Sequence, residues 1–251
     1  CIFAFTAGTK FVLNIEAASD MTVDLLLRGA TDAAGYDVAS KLAVTVNGKS
    51  VSGGYGSLTG SGDKPYWDWQ TVCLGKIDLV KGVNEITITV LDGHPNIDWV
   101  RLVPVAADIT VATSGSTTLH MENFEEHKSV IDSKDDFVNA YASQGFKEGD
   151  VFKNAGLGRI YGFNASTFVM HVEVKEACTL KISVNLWNCN ALNTYKHYFN
   201  GQAINCTNET APTGAGVYEI GSVTVSEAGI YTFIFTTGGV DFDELIFTVV
   251  E

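Results

Sequence analysis

The sequence predicts an all-β protein of two tandem antiparallel β-sandwich modules. Two observations support this fold class. Short runs rich in β-branched and aromatic residues recur along the whole chain, bounded by Gly, Asp or Asn. The two halves of the chain also carry the same order of strand and turn patterns, as an internal repeat does.

Each half contains several predicted strands. Those of the first half are FVLNIEA (11–17), TVDLLLR (22–28), KLAVTVNG (41–48), EITITVL (85–91) and WVRLVPV (99–105). Those of the second half are FVMHVEV (168–174), TLKISVNLW (179–187), GSVTVS (221–226), GIYTFIFTT (229–237) and ELIFTVV (244–250). Helical periodicity is weak, so residues 133–146 are the one candidate short helix, with a loop as the alternative.

The repeat aligns strand with strand and turn with turn. FVLNIE at residue 11 matches FVMHVE at residue 168, and the same offset of 157 residues places Thr22 on Thr179. The turn Asn47-Gly48 matches Asn200-Gly201, and both are predicted to be hairpin turns. Near the end of each half, NIDWVRL (96–102) matches DFDELIF (241–247). This last match makes Asp98 the counterpart of Asp243.

The repeat places the boundary between the modules after residue 106. The first predicted module spans 1–106 and the second 107–251, and residues 106–118 form either a short linker or the start of a strand. About fifty residues of the second module precede FVMHVE, whereas ten residues precede FVLNIE. The first module is therefore expected to lack its opening strands, or to obtain them from a missing N-terminal segment or a partner strand, because a sandwich without them exposes unpaired backbone.

Composition limits the classes of function. The chain of 251 residues is 46% hydrophobic and 18% charged, so it can bury two cores. Its formal net charge of −13 repels phosphate backbones and anionic lipid, which argues against nucleic-acid binding. No apolar run approaches the ~20 residues of a membrane helix, so no membrane insertion is expected. Five cysteines without CxxC spacing argue against a zinc site.

Several motifs resemble one family. The second half contains HMENFEEH (120–127) and the glycine-rich NAGLGRIYGFNASTFVMHVEV (154–174). The first half contains LLLRGATD (25–32), WQTVCLGKIDLVKGVNEITITV (69–90) and NIDWVRL (96–102). Together these stretches resemble the opening strand, the binding-loop strand and the late strands of β-sandwich carbohydrate-binding modules of families 6 and 35.

The resemblance implies a jelly-roll, galactose-binding-like sandwich that binds an oligo- or polysaccharide without catalysis. It also implies an extracellular or cell-surface location, on a larger glycan-active or adhesive protein of bacterial type. The chain starts at Cys1 without a methionine, which fits the expectation of an excised piece. The rival hypothesis is structural, in which the β-sandwich repeats are spacers or adhesion stalks with no sugar site.

The resemblance further implies a structural Ca²⁺ between the first and last strands of a module. Ca²⁺ prefers 6–8 oxygen ligands, and Glu122 with Asp243 would supply two carboxylates in the second module. The first module retains Asp98 and lacks the opening strand, so its calcium site is expected to be absent or incomplete. The alternative is that both aspartates hydrogen-bond local backbone amides.

Sugar binding needs an aromatic face for the pyranose C–H groups and polar side chains for the hydroxyls. In the first module, Trp67 lies beside the loop GSLTGSGDKPY and is the predicted platform. The resemblance makes Asn96 a sugar contact on the GHPN turn, and Arg28, Asp32 and Tyr36 are expected on a loop close by.

The second module departs from this pattern. Its candidate ligand contacts are Tyr161, Trp187 and Asn188, from a region rich in amides and aromatic residues, together with Asp241. Asp241 stands where the first module has Asn96. Different loop chemistry predicts a different ligand for this module, or none.

Two other tryptophans are assigned to packing. Trp69 matches a strand tryptophan of the family and is expected in the core. Trp99, Val100 and Leu102 are candidates for packing between the sheets.

Enzymatic activity is not expected. The five histidines are scattered, and HExxH, GxSxG, P-loop and GxGxxG motifs are absent from the sequence. GLG at 156–158 is followed by a predicted strand and not by a helix N-terminus, so it does not predict a phosphate cradle. The sequence therefore predicts a binding module.

Overall fold

The chain forms two compact units, Cys1–Val105 and Ala106–Glu251, here called unit 1 and unit 2. The computed structural model describes residues 6–31, 36–58, 70–120, 160–162, 166–187, 191–213, 216–237 and 240–250. At 120, 160–162, 166–167, 187, 237 and 240–243 only the backbone is described. No helix in these described ranges is long and apolar enough to cross a membrane.

Unit 1 is built of two main antiparallel sheets. Its strands are β1 Lys10–Ala17, β2 Met21–Ala30, β3 Tyr36–Asp37, β4 Leu42–Val46, β5 Lys49–Ser50, β6 Ser57–Leu58, β7 Gln70–Leu79, β8 Gly82–Val90 and β9 Asn96–Pro104, with a helical turn, α1, at Val38–Lys41. One sheet has the order β1-β8-β4-β5 and the other β7-β2-β9, while β3 pairs with β6. The helical turn ends at Lys41, the first residue of the strand that the sequence predicted at 41–48, and β4 begins at the next residue.

The core of unit 1 lies between these two sheets. Alternate residues of β2 point inward, and the buried side chains of Leu25 and Leu27 join Ile86 and Ile88 of β8 in one cluster. β-branched and leucine side chains at every second position explain why these segments become strands with one apolar face. The two sheets therefore form a sandwich around a single core.

Unit 2 repeats this plan with additional strands. Its strands are β10 Ile109–Thr110, β11 Gly115–His120, β12 Ile160–Gly162, β13 Ser166–Val174, β14 Cys178–Trp187, β15 His197–Phe199, β16 Gln202–Ile204, β17 Gly216–Val225, β18 Gly229–Thr237 and β19 Val240–Val250, with a 3-10 turn at Leu192–Thr194. One sheet has the order β10-β13-β18-β15-β16 and the other β11-β19-β14-β17, with β12 also on β19.

Aromatic side chains fill much of the core of unit 2. Phe233 and Phe235 of β18 are stacked with ring centroids 6.5 Å apart, and Phe247 of β19 meets Phe233 edge-on at 5.7 Å. Offset stacked and edge-on pairs are the geometries that aromatic quadrupoles favour. The core therefore joins strands of both sheets, as in unit 1.

The strand order of the two units is the same over the shared part. β1-β8-β4-β5 corresponds to β13-β18-β15-β16, and β7-β2-β9 corresponds to β17-β14-β19. The predicted hairpin turns are confirmed, because Asn47 and Asn200 have φ of 50° and 47° and a positive-φ glycine follows each. The prediction of an all-β, antiparallel fold is also confirmed. The parallel pairing of β10 with β13 is an exception to it.

Two β-bulges recur at matching positions. The β2/β7 register shifts after Leu25 beside Gly75, and the β14/β17 register shifts after Ile182 beside Gly221. The second recurring bulge lies between β2 and β9 in unit 1 and between β14 and β19 in unit 2. It places one extra residue in β9 and one in β19.

The candidate helix at 133–146 lies outside the described residues.

Candidate functional site

The second bulge of unit 1 creates the candidate site. Arg28 of β2 is opposite Trp99 of β9, and the next pair along the ladder is Gly29 with Ile97. Asp98 is therefore the extra residue of the bulge. Its carboxylate Oδ2 accepts a hydrogen bond from Nη1 of Arg28 at 2.7 Å. This explains why an apolar strand carries an aspartate at that position.

Burial makes this ion pair a fixed element of the site. The side chain of Arg28 is 9% exposed and that of Asp98 is 29% exposed. A mostly buried guanidinium requires a partner, because removing a charge from water costs several kcal/mol when it is left unpaired. The rigid guanidinium fork is thereby held in one orientation on the outer face of β2.

An aromatic ring and a second arginine lie next to the pair. The half-buried Trp99 is on the same face as Arg28, and the exposed Arg101 places its guanidinium carbon 4.6 Å from the centre of the Trp99 ring. The expectation that Trp99 packs between the sheets is wrong. Val100 and Leu102 do pack against the core, so alternation directs Trp99 and Arg101 to the opposite face. Strict alternation along WVRL is the signal in the sequence that could have placed Trp99 and Arg101 on this face.

Asn96 and Tyr36 lie deeper than expected. Asn96 begins β9 opposite Ala30 and is 3% exposed, so it is not at the tip of a turn. Tyr36 is 1% exposed within the core, and its hydroxyl donates a hydrogen bond to the carbonyl of Asp92 at 3.0 Å. Burial and then the Asp92 carboxylate raise the pKa of Tyr36 to about 12. The expected exposure of both residues on a binding loop is therefore corrected.

Two predicted contacts, Asp32 and Trp67, lie outside the described residues, as does Trp69. The described chain stops at Thr31 and resumes at Tyr36, and it stops again at Leu58 before β7. β7 starts opposite Gly29 of β2, next to Arg28. The described residues that flank both of these undescribed segments therefore lie at the end of the sheet that carries Arg28.

Close packing holds this end of the sheet together. A Cβ atom added to Gly29 would lie 2.9 Å from the carbonyl oxygen of Asn96 and 2.9 Å from Cδ1 of Leu58. Only glycine allows β9 and β6 to approach β2 this closely. Asn96 is thereby fixed against the strand that carries Arg28.

Unit 2 has different chemistry at the corresponding position. Asn185 of β14 is opposite Glu244 of β19, and its Nδ2 donates a hydrogen bond to Oε2 of Glu244 at 3.1 Å. Asn185 thus replaces Arg28, and Glu244 replaces Trp99. A neutral amide with a carboxylate stands where unit 1 has an arginine with an aromatic ring.

The structure brings three predicted contacts of unit 2 into one row. The backbone of Asp241 pairs with Tyr161 of β12 on one side and with Trp187 of β14 on the other. The side chains of these three residues lie outside the described part of the structure, and Asn188 does as well. Their role in ligand binding stays a prediction.

The calcium hypothesis has a different outcome in each unit. In unit 1, the Asp98 carboxylate is paired with Arg28, so a cation bound there would lie beside a guanidinium, and the residues do not fit a calcium site. In unit 2, Glu122 lies outside the described residues, and only the backbone of Asp243 is described, as the extra residue of the bulge. Among the described residues, no group of three His, Cys, Asp or Glu is placed to hold a metal ion.

The calcium site of unit 2 therefore stays a prediction. Adding EDTA to a metal-loaded sample is expected to lower the melting temperature of unit 2, since a ligand that binds only the folded state stabilises it. An unchanged melting temperature would contradict the site.

The two histidines of unit 2 whose side chains are described, His171 and His197, are buried within the fold. His197 is buried, its Nε2 lies 2.8 Å from the carbonyl oxygen of Leu192, and its Nδ1 accepts a hydrogen bond from the Thr236 amide at 3.3 Å. Burial lowers its pKa to about 4, partly offset by the Leu192 carbonyl. His171 is also buried, with Nδ1 3.7 Å from Oδ2 of Asp108. His197 is thus neutral near pH 7 and part of the core.

No protein-family model matches the chain, and no curated protein matches it. Among solved structures, the chain is similar to a family 35 carbohydrate-binding module from an environmental isolate, with 25% identity, 39% of this chain and 67% of that chain covered, and a TM-score of 0.32. It is also similar to the CBM35 from Cellvibrio japonicus Abf62, with 27% identity, 40% and 72% coverage, and a TM-score of 0.32.

A third similar structure is Xyl-CBM35 in complex with a glucuronic acid containing disaccharide. It has 28% identity, with 40% of this chain and 72% of that chain covered, and a TM-score of 0.32. The chain thus resembles family 35 carbohydrate-binding modules, the family that its sequence motifs also resemble.

Proposed function

We propose that the protein binds carbohydrate without catalysis, through the outer face of β2 and β9 in unit 1. The observation that carries this proposal is the Arg28–Asp98 ion pair beside the half-buried Trp99. The described residues that flank the segments containing Asp32 and Trp67 lie at the same end of the sheet as this ion pair. The proposed setting is an extracellular or cell-surface protein of bacterial type.

The chemistry of the site suits a pyranose ring. An indole face offers apolar contact to the C–H side of the sugar, and Trp67 is proposed as a second platform. A sugar hydroxyl both donates and accepts hydrogen bonds, and a carboxylate beside a guanidinium presents acceptors and donors together. Since the ion pair already fixes both side chains, little conformational entropy is lost when the sugar binds.

The expected affinity is modest. One or two stacked rings and a few hydroxyl hydrogen bonds give dissociation constants on the order of micromolar to millimolar. Unit 2 lacks the arginine and the tryptophan at the corresponding positions, so we propose that unit 1 carries the main site. If unit 2 also binds, with its own chemistry, the two sites would add avidity.

The test is a panel of neutral and uronic-acid glycans probed by array and affinity electrophoresis. The wild-type full chain is compared with Trp67→Ala, Trp99→Ala and Trp187→Ala. We expect at least one glycan to bind the wild type, and the two unit 1 substitutions to weaken binding about tenfold or more, as loss of a stacked ring does. Trp187→Ala is the matched control in unit 2 and is expected to leave binding unchanged.

Two results would contradict the assignment. Binding that is untouched by Trp67→Ala and Trp99→Ala, and lost in Trp187→Ala, moves the site to unit 2. Absence of binding to every glycan favours the structural alternative, in which the sandwiches act as spacers or stalks. The specific observation in favour of that alternative is the burial of Asn96, which removes one of the expected hydroxyl contacts from the surface.

A further inference from the structure

In the part of unit 1 that the structure describes, one side of the sandwich is open between its two edge strands. Among the described residues, β1 pairs only with β8, and β9 pairs only with β2. The apolar side chains along this side reach the core and stay partly exposed; they are Phe11, Leu13, Ile15, Val100 and Leu102. We call these five residues the open side of unit 1.

The same side of unit 2 is closed by its own chain. β10 adds to the edge of β13 in parallel, and β11 adds to the edge of β19 antiparallel. Val111 lies between these two short strands and Leu119 lies in β11, and both are buried in the core of unit 2. Ile109 of β10 packs against the same core. Segment 108–120 therefore closes both sheets and fills the space between them.

Burial differs accordingly at equivalent positions. Leu13 and Ile15 on β1 are only partly buried, whereas their counterparts Met170 and Val172 on β13 are 1% and 0% exposed. On the other edge, Val100 is partly buried, whereas its counterpart Leu245 is fully buried. Within the described residues, β1 and β9 of unit 1 are thus edge strands whose inward-facing apolar side chains stay partly exposed, at the positions that segment 108–120 covers in unit 2.

We propose that the open side of unit 1 binds an added segment of extended polypeptide that is joined ahead of β1. Its chemistry is that of segment 108–120: two apolar side chains at alternate positions, a short turn, and a second strand with an apolar residue facing inward. The first strand of the segment runs parallel to β1 and the second antiparallel to β9. Sheet augmentation of this kind combines main-chain hydrogen bonds with apolar pockets.

Unit 2 shows which backbone groups would bind the segment. The carbonyl oxygen of His171 accepts a hydrogen bond from the amide of Asp108 at 2.8 Å, and the carbonyl oxygen of Glu173 accepts one from the amide of Val111 at 2.8 Å. The amide of His171 donates to the carboxylate of Asp108 at 2.7 Å. The corresponding groups of unit 1 belong to Asn14 and Glu16, which are exposed on β1.

Chain order favours a segment of the same polypeptide as the occupant. In unit 2 the segment precedes β13, and every strand shared by the two units follows the same order. A second copy is the weaker candidate, because its own segment 108–120 already closes its unit 2. The proposal is independent of sugar binding.

The experiment fuses a copy of residues 107–120, through a flexible Gly/Ser linker, ahead of Cys1 of the full chain. Amide hydrogen exchange is measured on β1 and β9. We expect the Asn14 amide, and those amides of β9 that point away from β2, to exchange at least about tenfold more slowly. The reason is that amides at the edge of a sheet become hydrogen-bonded to the added segment. The matched control carries I109S, V111S and L119S in the added copy only and is expected to leave exchange unchanged.

Three outcomes overturn the proposal. They are unchanged exchange in the fusion, equal protection by the serine control, and protection that depends on protein concentration together with a dimer by light scattering. The last outcome assigns the open side to a second copy. Both fusions retain the complete chain, and exchange in β14 of unit 2 reports whether the protein is folded in each.

Discussion

Unit 1 and unit 2 share a framework and differ at one surface and one side. Both have the same order of shared strands, the same positive-φ asparagine turns and the same pair of bulges. At the second bulge, unit 1 carries Arg28 with Trp99, and unit 2 carries Asn185 with Glu244. The bulge is therefore a shared structural feature on which each unit carries its own surface chemistry.

The bulge also explains the repeated aspartate. Asp98 and Asp243 are the extra residues of equivalent bulges in β9 and β19. An extra residue does not alternate with its neighbours, so a polar side chain there need not enter the core. In unit 1, this placement lets Asp98 pair with Arg28.

Core truncation at equivalent positions on the last strand is expected to give the largest difference in stability between the two units. Leu245→Ala is expected to destabilise unit 2 by about 2–5 kcal/mol, because Leu245 is fully buried. Val100→Ala is expected to cost unit 1 about 1 kcal/mol, because the open side leaves Val100 partly exposed. Chemical denaturation followed by a probe in each unit measures both values. Equal losses would show that the open side is already covered.

Glycine at the first bulge is expected to matter equally in both units. Gly75 and Gly221 have φ of 130° and 149°, and an added Cβ would lie 2.7 Å from Val51 Cγ1 and 2.6 Å from Ile204 Cγ2. Gly75→Ala and Gly221→Ala should each cost about 2–3 kcal/mol in the free energy of unfolding. Gly229→Ala is the control, with an expected change within about 0.5 kcal/mol. A tolerated substitution in one unit alone would break the equivalence of the bulges.

The pH dependence of stability should differ between the units. Burial lowers the pKa of His197 in the folded state to about 4, below the ordinary histidine value of 6.5. Between these two pKa values the unfolded state binds more protons than the folded state. The contribution of neutral His197 to the free energy of unfolding is therefore fully present above pH 6.5 and is lost as the pH falls. Unit 2 should lose about 2 kcal/mol between pH 7.5 and pH 5, and His197→Gln should flatten this slope. Thermal melts across the range measure it, and an unchanged slope in the variant would refute the assignment.

The smallest expected effect concerns the hairpin asparagines. The side chain of Asn47 makes two hydrogen bonds. Its Nδ2 donates to Oδ1 of Asn84 at 2.9 Å, and its Oδ1 accepts from the Glu85 amide at 2.9 Å. Asn47→Ala should therefore cost about 1–2 kcal/mol, and Asn200→Ala about 1 kcal/mol from its positive φ alone. Differential scanning calorimetry compares the two variants. A larger loss at Asn200 would contradict this ranking.

The sequence predicted the framework because the framework is local. Period-two alternation sets each strand, and the Asn-Gly pairs set both hairpin turns, so these features and their repetition were predictable. The repeat also aligned Asp98 with Asp243, which the structure places at equivalent bulges.

The details of the site were less predictable because they depend on tertiary packing. Asn96 was predicted on the GHPN turn, yet it begins β9 and is buried where β9 approaches Gly29. Tyr36 was predicted on a binding loop, yet its ring packs in the core and its hydroxyl donates a hydrogen bond to the carbonyl of Asp92. The ion pair of Arg28 with Asp98 depends on a register shift between strands 70 residues apart, which one strand's pattern does not show.

We propose that unit 1 carries the sugar site, and the indole N–H signals of the four tryptophans report on it residue by residue. A ¹H–¹⁵N spectrum of the full chain, titrated with a glycan that binds, reports on Trp67, Trp69, Trp99 and Trp187 at once. We predict that the signals of Trp67 and Trp99 shift with one common dissociation constant while that of Trp187 stays in place. A shift of Trp187 with Trp67 and Trp99 unchanged would contradict the claim.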